Sequence, residues 1–242
     1  MTWTQVGYWQ DSLTLYNHSL KVTDYNWLIY NNRGNAYADL GNYQKAIEDF
    51  NRAIDIKPAY AEACYNRGIA YANLRNYTKA IEDFNRAIDI KPAYAEAYFS
   101  RGIAYANLGN YQKAVEDYSR AINIKPVYAE AYINRSVAHN SLGNYKQAIE
   151  DLNMAIDIKP DFAEAYLNRG IAYNSLGNYR QAIDDFNSAI KIKPDSADTF
   201  RNRGVSYFKL GNNDLGFKDL KTAAKLGDER AKNLLMKKGV SW

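Results

Sequence analysis

The text AIEDFNRAIDIKPAYAEA occupies residues 46–63 and recurs unchanged at 80–97, a shift of 34 residues. The same interval separates every proline of the chain: Pro58, Pro92, Pro126, Pro160 and Pro194. A period this regular marks a repeat architecture, and it governs the rest of the reading. Five proline-ended units follow, at 27–60, 61–94, 95–128, 129–162 and 163–196, and a more divergent sixth covers 197–230.

Within a unit the apolar spacing predicts two helices. In 61–94, Cys64, Gly68 and Tyr71 recur at i, i+4 and i+7, then Tyr77, Ala80, Ile81, Phe84, Ala87 and Ile88 repeat the helical interval. Between the two helices stands Gly-Asn in five units, with glycine suited to a left-handed turn and asparagine to capping the next helix. The second unit has Arg75-Asn76 instead, so Arg75 must adopt the left-handed conformation at a cost or end its helix differently. The prolines lack the amide hydrogen that would prolong each second helix. Gly68, Gly102, Gly170 and Gly204 on first helices are expected to face Ala80, Ala114, Ala182 and Gly216 on second helices, for close approach.

The order Tyr98, Gly102, Tyr105, Ala114, Tyr118, Ala121 and Pro126 resembles the tetratricopeptide-repeat consensus, and the resemblance covers nearly the whole chain. It implies an all-α, right-handed superhelical solenoid of antiparallel helix pairs, with first helices lining a concave groove that holds another polypeptide. Residues 1–26 read as the second helix of a half repeat: Gly7-Tyr8-Trp9 lies where Gly-Asn-Tyr would fall, and Leu13, Tyr16 and Leu20 continue its stripe. Residues 3–23 also resemble the junction of multi-spanning, protein O-mannosyltransferase-like membrane proteins that carry a repeat tail. That resemblance makes Met1 a start within a longer protein, an accessory acceptor-binding domain outside the cytoplasm; a complete chain would be cytoplasmic. Residues 231–242 read as a capping helix and tail, and Trp242 has no evident core position.

Three ladders remain once packing is assigned. Arg33, Arg67, Arg101, Arg135, Arg169 and Arg203 stand where the family more often has leucine. They match Asp49, Asp83, Asp117, Asp151, Asp185 and Asp219 one for one, which predicts pairing between helices. Asn32, Asn66, Asn134, Asn168 and Asn202, interrupted by Ser100, fall on the groove side. An amide donates and accepts, so such a row can hold the main chain of an extended peptide. Tyr65, Phe99, Ile133 and Leu167, with Ile69, Ile103 and Ile171, supply an apolar floor. Glu62, Glu96, Glu130, Glu164 and Asp198 suit the positive first turn of a helix and disfavour acidic ligands. The lysines and arginine by which chaperone-binding relatives grip a C-terminal carboxylate are missing.

The expected partner is therefore a neutral or basic peptide with apolar side chains, with self-association through the half repeat or tail as the alternative. A net charge of +4, with 31 basic and 27 acidic residues interspersed, does not form the basic face that nucleic acid needs. No apolar run approaches the roughly 20 residues of a membrane helix, so no direct membrane insertion is expected. Cys64 and His139 occupy packing positions where other units carry tyrosine. No phosphate loop, metal-spaced cluster or nucleophile–base pair appears, so neither an active site, a metal nor a cofactor is expected.

Overall fold

The computed structural model describes residues 12–23 and 25–241, which contain fourteen helices and no strand. They divide into two compact units, before and after the boundary between Lys125 and Pro126. The first holds α1 (Ser12–Val22), α2 (Trp27–Asp39), α3 (Tyr43–Ile56), α4 (Ala61–Asn73), α5 (Tyr77–Ile90), α6 (Ala95–Asn107) and α7 (Tyr111–Ile124). The second holds α8 (Ala129–Ser141), α9 (Tyr145–Ile158), α10 (Ala163–Ser175), α11 (Tyr179–Ile192), α12 (Ala197–Lys209), α13 (Asn213–Lys225) and α14 (Glu229–Lys237). Residues 1–11 and Trp242, on which part of the half-repeat reading and the tail reading rest, lie outside the described residues. Inside each unit the first helices of neighbouring periods lie against each other (α2 with α4, α4 with α6; α8 with α10, α10 with α12), more closely than any pair of second helices. First helices therefore lie on the inner side of the stack in each unit.

The turn inside each pair is closed by the backbone. The amide of Gly41 bonds the carbonyl of Ala38 and that of Asn42 bonds Tyr37, the two bonds of a Schellman motif. Gly41, Gly109, Gly143, Gly177 and Gly211 take φ between +74° and +80° there. Arg75 takes the same conformation at φ +58°, with the same two bonds to Ala72 and Tyr71. For a residue bearing Cβ this costs about 1 kcal/mol. The asparagine that follows caps the second helix through its side chain in three turns: Asn42, Asn76 and Asn110 accept from the amides of Lys45, Lys79 and Lys113. Asn144, Asn178 and Asn212 make no such side-chain bond.

The first-helix glycines serve a contact other than the one the spacing suggested. A Cβ on Gly34, Gly68, Gly102 or Gly170 would meet the ring of Phe50, Phe84, Tyr118 or Phe186 at 2.5–2.7 Å. The missing side chain lets the second-helix aromatic pack closely against the first helix; the alanines lie farther, a Cβ on Gly68 meeting only the carbonyl oxygen of Ala80, at 3.2 Å. Gly204 alone lies against Gly216, whose carbonyl oxygen a Cβ on Gly204 would meet at 3.0 Å. Gly216 itself makes room for Phe208, whose ring a Cβ there would meet at 2.8 Å. The fourth period exchanges both sizes together: Ser136 replaces the glycine and Leu152 the aromatic, and both are fully buried. The Ser136 hydroxyl donates to the Ile133 carbonyl at 2.6 Å.

At the far end, α14 begins at Glu229, ahead of the expected Ala231. Asp228 caps it there, accepting from the amide of Ala231, and also pairs with Arg201. Ala231 and Leu235 then bury their side chains against Leu220, Ala223 and Ala224.

Leu152→Phe should lower stability by about 2 kcal/mol, because a ring there meets the Ser136 Cβ. Ser136→Gly in the same chain should restore most of that loss despite its own helix cost. Urea denaturation of the single and double variants checks this, and equal stabilities for the two would contradict the paired-size account.

Candidate functional site

The arginine ladder pairs as its register predicted. In all six periods the guanidinium Nε and Nη2 donate to the two carboxylate oxygens of the matching aspartate, at 2.7–2.9 Å and 2.5–2.8 Å. The aspartates are buried and the arginines partly so. Their hydrogen bonds hold Arg33, Arg169 and Arg203 above the ordinary arginine pKa. A further contact escaped the sequence reading. Nη1 of Arg33, Arg67, Arg101, Arg169 and Arg203 donates to Asn17, Asn51, Asn85, Asn153 and Asn187 of the preceding second helix, at 2.6–2.8 Å. Those five asparagines share one 34-residue register, interrupted by Ser119, so periodicity alone could have flagged them.

The structure uses the predicted asparagine row differently in the two units. In the first, the Asn66 amide donates to Asn31, at 3.1 Å, and Asn31 donates on to Asn32. At Ser100 the hydroxyl bonds the Tyr65 hydroxyl, 3.3 Å away. Tyr65 stacks obliquely on Tyr94 and Phe84, and Phe99 on Tyr118. Glu62 and Glu96 face Lys91 and Lys125 at 3.8 and 3.6 Å. Side chains of this unit thus spend much of their polar capacity on each other.

In the second unit Asn134 and Asn202 donate back to the carbonyls of Glu130 and Asp198, one turn earlier. The Asn168 amide has no hydrogen bond among the described residues, and neither Glu130 nor Glu164 has an ion pair there. Asn168 and Leu167 line a recess of about 320 Å³ with Glu164, Lys193, Ser196, Asp198 and Thr199. Ile133 is buried one repeat earlier. The apolar row ends at Arg201, which takes the register position of Leu167 and is clamped by Asp198 and Asp228. Sequence reading gave Arg201 no role, although its departure from an apolar series was visible.

The remaining titratable groups lie within the packing. Cys64 is fully buried, and burial pushes its thiol pKa up. His139 is half-buried with Nε2 3.9 Å from Asp151, and burial lowers its pKa. Among the described residues no group of three or more His, Cys, Asp or Glu is placed to hold a metal ion. No described helix is long and apolar enough to cross a membrane.

These helix pairs, glycine–aromatic contacts and turns define an all-α repeat protein. A TPR repeat model matches residues 34–74 and 137–177, and a tetratricopeptide repeat model matches 61–94, 95–128 and 163–196. The chain belongs to the tetratricopeptide-repeat family. Among solved structures, the MamA protein is 29% identical, with 71% of this chain and 93% of that one covered and a TM-score of 0.65. YrrB, described as a TPR protein with an unusual peptide-binding site, is 20% identical, with 76% and 95% covered and a TM-score of 0.66. PilF of Pseudomonas aeruginosa is 15% identical, with 86% and 96% covered and a TM-score of 0.74. The last two show likeness of fold alone.

Asp83→Ala, which strands the Arg67 guanidinium in a half-buried site, should lower stability by about 3 kcal/mol. The Arg67→Leu/Asp83→Leu double variant should lose less, because no charge is left unpaired. Denaturant midpoints would show the difference, and a larger loss in the double variant would refute it.

Proposed function

We propose that this chain is a protein-interaction scaffold whose first-helix faces bind an extended, neutral or basic polypeptide with apolar side chains. The recess at Asn168 carries the reading. It joins an unbonded amide, an apolar wall at Leu167 and the unpaired Glu164 carboxylate. An amide there can bridge a peptide N–H and C=O irrespective of sequence, while Leu167 accepts apolar side chains and Ile133, buried, only supports the floor from beneath. The carboxylates at Glu130 and Glu164 favour a basic neighbour on the ligand. The polypeptide-binding role of the family, and the peptide site in YrrB's description, agree with this use of the fold. Asn134 belongs to the same proposed row of the second unit, although it already bonds its own helix.

A second reading, self-association, is favoured by Leu15. It occupies the register position that carries Asp49, Asp83 and their equivalents in every complete period. Leu13, Leu15, Tyr16 and Leu20 on α1 are all partly exposed. An apolar residue in place of the paired aspartate suits an apolar partner, such as another copy of the chain.

Asn168→Ala should weaken binding of peptides selected from a random library roughly tenfold while far-ultraviolet circular dichroism stays unchanged. Unaltered affinity would exclude the recess as the site. For the second reading, sedimentation over a wide concentration range should show association that Leu15→Asp abolishes; a monomer throughout would end it.

A further inference from the structure

The turn edge of the first unit carries a feature that neither packing nor the first-helix face uses. The residue closing each first helix is leucine in all six periods: Leu40, Leu74, Leu108, Leu142, Leu176 and Leu210. Its structural duty is met by the backbone, since the Leu40, Leu74 and Leu108 amides bond the carbonyls of Ala36, Ala70 and Ala104. The side chains are left in solvent, with 70%, 48% and 53% of their surface exposed at Leu40, Leu74 and Leu108. Duplication alone does not account for the recurrence. The residue just before it runs Asp39, Asn73, Asn107, Ser141, Ser175 and Lys209, and the sixth period has Asp228 for the proline and Gly216 for the alanine at the Ala182 register, yet keeps Leu210.

Charge on this edge is one-sided in the first unit. Lys45, Arg75, Lys79 and Lys113 are exposed beside the three leucines, and Asp39 is the acid among them. The lysine ammonium groups lean over Tyr37, Tyr71 and Tyr105 at 5.2–5.4 Å from the ring centroids. Arg75 is the residue held at positive φ where the other five periods have glycine. A strained, exposed arginine with no packing duty adds one more cation to the row. One turn farther along α3, α5 and α7 stand the exposed acids Glu48, Glu82 and Glu116. The apolar, cationic strip is therefore narrow and bounded by negative charge.

We propose that this strip, Leu40, Leu74 and Leu108 with Lys45, Arg75 and Lys79, docks an acidic amphipathic helix of a partner protein. Seven residues of α-helix rise about 10.5 Å, close to the roughly 10 Å between packed helices, so one apolar residue per heptad meets successive leucines. Acidic flanks on that helix meet the cations. A helix can turn an acidic flank to the cations alone, whereas a broad anionic bilayer would also meet the exposed Glu48, Glu82 and Glu116.

The test uses the full chain and a labelled helical peptide with leucine at every seventh position and glutamate on its flanks. A twin peptide with lysine for glutamate, and phosphatidylcholine vesicles with and without phosphatidylserine, serve as comparisons. Fluorescence anisotropy should show binding of the acidic peptide alone, weakened several-fold by added salt. Leu40→Ser/Leu74→Ser/Leu108→Ser, exposed changes that leave circular dichroism intact, should weaken it about tenfold or more. Arg75→Gly should raise the melting temperature and still weaken binding a few-fold, which separates docking from folding. Equal binding of both peptides, no binding of the acidic one, or an unaffected triple variant would overturn the proposal. Vesicle binding that depends on phosphatidylserine and on the leucines, without peptide binding, would overturn it in favour of a lipid surface.

Discussion

One guanidinium ties the two helices of each period together, and in five of the six it also holds an asparagine of its neighbour. The arginine of a first helix grips the aspartate of its own second helix through two parallel bonds. In five periods its remaining nitrogen reaches an asparagine of the second helix before. The same cation lies near aromatic rings of its own helix, as Arg33 does at Tyr30 and Tyr37 and Arg203 at Phe200 and Tyr207. Cys64 interrupts this pattern, leaving Arg67 without the ring that Tyr98 offers Arg101. Such a polar hub adds little net stability over apolar packing, because desolvation offsets most of the attraction. Its effect is on register: a helix slipped by a turn would leave a carboxylate and a guanidinium buried apart.

Around that hub, packing is set by matched volumes. Glycine against phenylalanine or tyrosine, and serine against leucine, fill the same gap with different partitions of volume between the two helices. The sixth period reverses the arrangement, with the aromatic Phe208 on the first helix and the glycine at Gly216 on the second. Neither helix's size pattern makes sense alone, which explains why Ser136 and Leu152 look like unrelated variants until the contact is seen.

The helix pairs, the turn positions and the arginine–aspartate pairing were legible in the sequence, because each follows from a period and from the known reach of a side chain, whereas the asparagine cap forms in only three of the six turns. Arg75 posed a choice that only coordinates could resolve, and the turn kept its geometry at the expense of strain. The proposed groove was legible as a row of residue types and not as a state of bonding. Whether an asparagine is free depends on a rotamer and on the neighbouring residue: Asn66 finds Asn31 across the repeat, Asn134 finds its own helix, and Asn168 finds neither. The glycine contacts were misassigned because spacing gives the facing helix and not which of its side chains reaches farthest. Arg201 was missed because one of its aspartates, Asp228, lies 27 residues away at the position where the other periods carry proline.

The matched pairs also govern how such a gene can change length. Unequal crossing-over between near-identical segments adds or removes whole periods, and the recurrence of residues 46–63 at 80–97 offers ample homology for it. A break at the proline turns keeps Ser136 with Leu152 and Phe208 with Gly216. A break between the two helices of a period would join the serine of one to the aromatic of another, and the product would be born with a steric clash. Recombination inside the fourth or sixth period thus carries a cost in stability that the second and third escape, which favours growth and shrinkage of the array in its most uniform stretch.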